Sequence, residues 1–125
     1  MVFCAGKVYY DIAAERAKRG IDDIAIERIE QLYPFPHDEF QARIEAFPAA
    51  KSIVWAQEEP GNQGAWHRIQ HYLLRHMRAE QTLSYAGRTS SASPAVGYAQ
   101  LHAEQQKALV EAALTWDAKA SQEAA

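Results

Sequence analysis

The residues with the greatest chemical capacity fall in one run, QEEPGNQGAWHRIQHYLLR, Gln57 to Arg75, where two adjacent carboxylates precede a Gly/Asn turn and a helix start. Paired carboxylates can act as general acid and base, and a glycine-rich turn before a helix can hold phosphate on free N–H groups. Both roles make demands on spacing. Glu58 and Glu59 are consecutive at the end of an apolar strand, so their side chains point to opposite sides and form no ready dyad. GNQGAW matches neither G-x-G-x-x-G nor G-x-x-x-x-G-K-[ST], and the two glutamates repel an anion. The run therefore reads as an ordered elbow. One carboxylate accepts backbone N–H groups of the turn, and Asn62 caps the helix through the N–H of Gly64 or Ala65.

Other candidate groups are weighed the same way. His67 and His71 lie four apart on one helix, as metal-binding imidazoles do, but the zincin glutamate between them is replaced and no third ligand follows; no metal is expected. Together with Arg75 and Arg78 they share the helix face opposite Trp66 and Leu73, which reads as an exposed basic stripe. Ser90, Ser91 and Ser93 lack a G-x-S-x-G elbow and read as loop. Arg88 follows a strand at the end where open α/β sheets bind ligands, placing it to reach an anion, a neighbouring domain, or Glu58 or Glu59 in a salt bridge. The single Cys4, among Val2, Phe3 and Ala5, reads as a core residue rather than a nucleophile. No catalytic residue emerges.

The elements that must position these groups alternate along the chain. Val2 to Ala5 reads as a buried strand, Gly6 as a turn, and Lys7 to Arg19 as a helix burying Val8 and Ile12 before stopping at Gly20. Ile24 to Ile29 is a second strand, whose Glu27 and Arg28 suit a sheet edge. Pro34 and Pro36 then turn the chain, His37 or Asp38 caps, and Phe40, Ile44 and Phe47 stripe a short helix. SIVWA, Ser52 to Ala56, is the central strand. Trp66, Ile69, Leu73 and Met77 form the core face of the helix beginning near Ala65. Leu83 to Ala86 is the fourth strand, and Tyr98, Leu101, Leu109 and Ala112 mark the last helix. Alternation of this kind predicts one α/β domain with a parallel sheet and right-handed crossovers. If the strand order is second, first, third, fourth, the direction reverses between the first and third strands. Gly6 and Lys7 then face Gln57, Glu58 and Glu59 across the crevice.

With 125 residues, 48% of them hydrophobic, the chain suits a single domain over 1–116 with a frayed tail over 117–125. A net charge of −3 without a basic block disfavours nucleic acid, and no apolar run approaches the roughly twenty residues that cross a bilayer. One cysteine excludes a disulfide scaffold and suits a reducing, cytoplasmic setting. Met1 leads directly into VFCAG, which reads as the start of a piece of a longer protein.

Four separated motifs, AGKVYYD, RIEQLYPFP, VWAQEEPGNQGAW and YAGRTSSASPAVGY, resemble the C-terminal domain of the first, thiamine-diphosphate-dependent component of the 2-oxoglutarate dehydrogenase complex. The resemblance spans Phe3 to about Ala113. It implies a three-layer αβα, transketolase C-terminal-like fold, in which an antiparallel edge strand precedes the first strand of this chain. Without that strand, Ile24 to Ile29 exposes an unpaired edge, through which isolated chains should pair. The parent enzymes decarboxylate 2-oxoglutarate and pass succinyl to the lipoyl groups of the second, succinyltransferase component, in the citric acid cycle. Their thiamine diphosphate and magnesium need a G-D-G motif, which this chain lacks, so other domains hold them. The resemblance implies a noncatalytic domain that packs against its neighbours and helps hold a homodimer. Some relatives respond to acetyl-CoA or nucleotides such as AMP. Lys7, Gln57, Glu58, Glu59, Asn62, Gln63 and Arg88 are accordingly the candidate ligand or interface residues.

Overall fold

Each apolar run becomes a strand and each following amphipathic run a helix in the computed structural model, which describes residues 1–88 and 99–115, the side chains of 99 and 100 excepted. The serine cluster, Tyr98, Trp116 and the expected tail lie outside the described residues. The elements are β1 (Val2–Cys4), α1 (Val8–Lys18), β2 (Ile26–Arg28), α2 (His37–Ala46), β3 (Ser52–Pro60), α3 (Trp66–His76), β4 (Thr82–Arg88) and α4 (Ala99–Leu114). The sheet order is β2-β1-β3-β4 with every pairing parallel, as expected. β2 is the outer strand beside β1, and β3 lies between β1 and β4.

Alternation along the strands divides the core in two. Val2, Cys4, Val54, Ala56 and Ala86 face one way and pack against Val8 and Ile12 of α1 and Leu109, Val110, Ala113 and Leu114 of α4. Phe3, Ile53 and Trp55 face the other way, against Phe40 and Ile44 of α2 and Trp66, Ile69 and Leu73 of α3. The sheet thus lies between two helical layers, which is why its middle strands carry continuous apolar runs. Burying a side chain the size of Phe3 or Ile69 contributes about 1.5–3 kcal/mol each, so this double face supplies most of the drive to fold. Cys4 is fully buried, and desolvation pushes its thiol up to about 12.

Several local expectations change. β3 continues to Pro60 rather than ending at Ala56, with an irregular register between Ala56 and Pro60 against β4. α2 starts after Pro36 with no side-chain cap, so neither His37 nor Asp38 caps it. A proline there supplies a preset φ and has no N–H to satisfy. Phe47 closes α2 from just beyond its end and is only partly buried. α3 stops at His76, which takes Arg78 off the expected basic stripe. Its guanidinium instead donates to the carbonyls of Pro48 at 2.9 Å and Ala50 at 3.3 Å. His67, His71 and Arg75 remain exposed on α3.

Candidate functional site

The reversal of strand order falls between β1 and β3, and the crevice there is built by the segments leaving their carboxyl ends. β1 ends at Cys4, and Gly6, at φ +78°, turns the chain into α1 so that Lys7 precedes the helix at the crevice edge. Lys7 Nζ meets Glu58 Oε1 at 3.0 Å, the facing arrangement that the sequence predicts. The lysine side chain is 75% exposed, and the hydrogen bond it donates to Glu58 raises its pKa.

The candidate residues do not form one cluster, because the sheet separates them. Glu58 continues the face of Val54 and Ala56, toward α1 and α4. Its carboxylate accepts from Lys7 and, at 2.9 Å, from Gln106 Nε2, which also reaches Asp11 Oδ2 at 2.9 Å. Arg88, the last residue of β4, is 9% exposed and enters the same cluster. It donates to the backbone carbonyl of Glu58, to Gln106 Oε1 at 3.0 Å and to His102 Nε2 at 3.2 Å. Because guanidinium only donates, His102 must present a bare Nε2. Of the alternatives open to Arg88, a salt bridge to Glu58 or Glu59 is not among the ion pairs of the described residues; Arg88 meets the main chain of β3 instead. Arg88 Nε is buried and has no hydrogen-bond partner among the described residues.

Gln57 and Glu59 occupy the opposite face, toward α3. Gln57 is 2% exposed, and both ends of its amide are fully used. Oε1 accepts from the indole Nε1 of Trp55 at 2.9 Å and from the backbone N of Trp66 at 3.1 Å. Nε2 donates to the carbonyls of Glu59 at 3.0 Å, Pro60 at 3.0 Å and Gln63 at 2.9 Å. Gln57 thus accepts the first N–H of α3 from across the elbow. The N-cap of α3 is Ala65, which has no side-chain oxygen, and exposed Asn62 stands three residues before it in the turn. A cap supplied across the elbow, rather than from the cap position, escapes any reading based on N-cap residue type.

Two glycines show how tightly this elbow is drawn. Gly64 sits at φ +66°, and a Cβ there would lie 3.1 Å from both Cβ and Oε2 of Glu59, which places the Glu59 side chain over the turn. At Gly87 an added Cβ would collide with the phenol of Tyr85 and stand 3.0 Å from the carbonyl of Gln57. The Tyr85 hydroxyl reaches the carbonyls of Arg88 at 2.8 Å and Glu59 at 3.3 Å, its ring lies 5.3 Å from that of Trp66, and desolvation raises its pKa.

Sequence reasoning missed Gln106, His102, Asp11 and Tyr85. His102 and Gln106 are four apart on α4 and so share a face, a signal present in the sequence but without meaning until the topology lays α4 beside β4. Glu58 and Glu59 point apart, and Glu58 is held by Lys7 and Gln106, so these two carboxylates do not meet. Among the described residues there is no group of three His, Cys, Asp or Glu side chains placed to hold a metal ion, and no helix is long and apolar enough to cross a membrane.

A family model described as 2-oxoglutarate dehydrogenase C-terminal matches residues 1–114. The 2-oxoglutarate dehydrogenase E1 component of Cupriavidus necator is 55% identical over 113 residues, covering 90% of this chain and 12% of that protein. The E1 components of Coxiella burnetii and Azotobacter vinelandii are 51% and 52% identical, over 91% and 92% of this chain and 12% of each relative. The chain thus spans 12% of the length of the curated relatives it matches. With the motifs, the parallel three-layer fold and a match over nearly the whole chain in agreement, the chain belongs to the 2-oxoglutarate dehydrogenase C-terminal family, as a domain of the E1 type.

Proposed function

We propose that this chain is a noncatalytic C-terminal domain of a 2-oxoglutarate dehydrogenase E1 component, serving to pack against the other domains of the parent chain and to help hold its homodimer. The parent would decarboxylate 2-oxoglutarate on thiamine diphosphate and magnesium held by those other domains. It would then transfer succinyl to lipoyl groups of the succinyltransferase component, in the citric acid cycle and the cytoplasm. One observation carries this reading: the polar side chains of the crevice are spent on holding the domain itself together. Gln57 makes five hydrogen bonds within the elbow, Glu58 is shared by Lys7 and Gln106, and Arg88 ties β3 to α4. Groups so engaged leave no free acid–base pair for chemistry. Sedimentation velocity of the parent with and without this domain tests it. Loss of the dimer on removal is expected, and an unchanged dimer would refute the interface role.

A second reading has its own support. The unpartnered Arg88 Nε and the exposed Lys7 ammonium stand at the ligand-binding end of a parallel sheet, suiting a regulatory site for an anionic ligand such as acetyl-CoA or AMP. Calorimetry on the 125-residue chain separates the two readings. Saturable heat, abolished by Arg88→Ala, supports the regulatory site, and no heat at millimolar ligand refutes binding by the isolated domain.

A further inference from the structure

On the side of the sheet away from Arg88, two histidines meet where α2 begins and α3 ends. His37 Nδ1 lies 2.8 Å from His76 Nε2, and His76 Nδ1 lies 2.8 Å from Gln41 Oε1. Gln41 Nε2 in turn donates to Glu45 Oε1 at 2.9 Å. The rings sit among aromatic side chains, His37 edge-on to Phe35 and Tyr72 at 5.0 Å, and His76 edge-on to Phe40 at 5.8 Å and stacked with Phe35 at 6.5 Å. Neither the crevice nor the proposed function uses this chain of contacts.

The proton positions along it follow by elimination. A carboxylate only accepts, so Glu45 fixes the Gln41 amide with its NH2 outward and its oxygen toward His76. That oxygen only accepts, so His76 carries its proton on Nδ1 and presents a bare Nε2. His37 must then donate from Nδ1. The contact between the rings already holds one proton and has room for no second. A proton added to the outer Nε2 of His37 leaves the contact intact, whereas a proton added to Nε2 of His76 sets two donors against each other.

We propose that His37 and His76 form an acid-released clasp between the start of α2 and the end of α3. The groups facing it are Asp38 and Glu45 from α2, and Tyr72 and Arg75 from α3. Burial, then His37 and Arg75, lower the pKa of His76 from the ordinary value of 6.5, and only Asp38 opposes them. The folded state thus favours the neutral ring. The clasp contributes fully above about pH 6.5 and is lost as the pH falls through the lower folded value, because the opened state binds the extra proton first. Beyond the end of α3, Arg78 also donates to the carbonyl of Ile44 in α2 at 3.5 Å. The proposal is independent of the chain's role in the parent enzyme.

Two measurements on the 125-residue chain test it. Long-range nitrogen–proton NMR at pH 8 should find both His37 and His76 as the Nδ1–H tautomer; an Nε2–H tautomer at His76 would overturn the proposal without any variant. Amide exchange at Phe40 and Met77, corrected for intrinsic rate, should then quicken as the pH falls from about 6.5 toward the lower folded value of His76, by at most about tenfold per pH unit, as one proton is taken up on opening. His76→Phe keeps the ring and removes both nitrogens, so its exchange at these amides should lose that dependence. If wild type and His76→Phe show the same pH dependence, the clasp is not the cause and the proposal fails. Should His76→Phe not fold, Gln41→Leu serves: freeing Nδ1 of its acceptor should shift His76 toward Nε2–H, and an unchanged tautomer would count against the relay.

Discussion

Replacing Gln57 by alanine should cost more than any other polar substitution in the elbow. The side chain is 2% exposed; its oxygen accepts two hydrogen bonds and its two N–H groups are shared among three carbonyls. Truncation strands the indole N–H of Trp55 and the first N–H of α3, both buried, at about 1–3 kcal/mol each. The carbonyls of Glu59 and Gln63 are only part-buried and can find water, and that of Pro60 still accepts from the N–H of Gln63 at 2.8 Å. A loss of about 3 kcal/mol is therefore expected after partial hydration. With a urea dependence of about 2 kcal/mol per M, this lowers the unfolding midpoint by about 1.5 M. Tryptophan emission reports it, since Trp55 and Trp66 both contact the side chain. Gln57→Glu keeps the size but sets an oxygen against three carbonyls. It should cost as much at pH 7 and recover as the pH falls and the carboxyl regains a proton. Exposed Asn62, changed to alanine, should cost less than Gln57→Ala. A Gln57→Ala shift below about 0.5 M, or a larger loss at Asn62, would refute the assignment of Gln57 as the elbow's organiser.

Further outcomes follow from the same geometry. Gly87→Ala forces a Cβ into the phenol of Tyr85, whose hydroxyl is tied to two carbonyls, so a loss of about 1–3 kcal/mol is expected in urea unfolding. Lys7→Ala removes only an ion pair whose lysine is 75% exposed and should leave the urea midpoint unchanged within error; a clear drop would mean that the crevice depends on it. Cys4, its thiol pushed up to about 12 by burial, should resist thiol reagents at pH 8 until the chain unfolds. Modification at the rate of a free thiol in the native state would contradict that packing.

Much of this architecture is legible before any coordinates, for a physical reason. Helices alternating with apolar strands point to a parallel sheet, and a strand order of second, first, third, fourth sets Lys7 opposite Glu58, as the structure has it. The opposite orientations of Glu58 and Glu59 follow from strand geometry alone. Interactions across long sequence separations are not legible in this way. Gln106 reaches Glu58 from 48 residues away, and nothing local to α4 marks it. Gln57 was equally hidden: it reads as the polar end of a strand, yet β3 continues for three residues beyond it because its amide satisfies the backbone that the irregular register leaves open. Capping preferences are local, and the cap that Gln57 supplies to α3 comes from nine residues upstream of Trp66.

The claim on which the account rests is that the adjacent carboxylates of the elbow serve structure and not chemistry. It is tested most directly by the turnover of 2-oxoglutarate by the parent enzyme carrying Glu58→Gln and Glu59→Gln together, with its dimer and urea midpoint checked alongside. If the carboxylates only order the domain, kcat per dimer should stay within about twofold of the unsubstituted enzyme, whereas a general acid or base contributes about 10²–10⁴-fold. A loss of that larger size, with dimer and midpoint unchanged, would contradict the account.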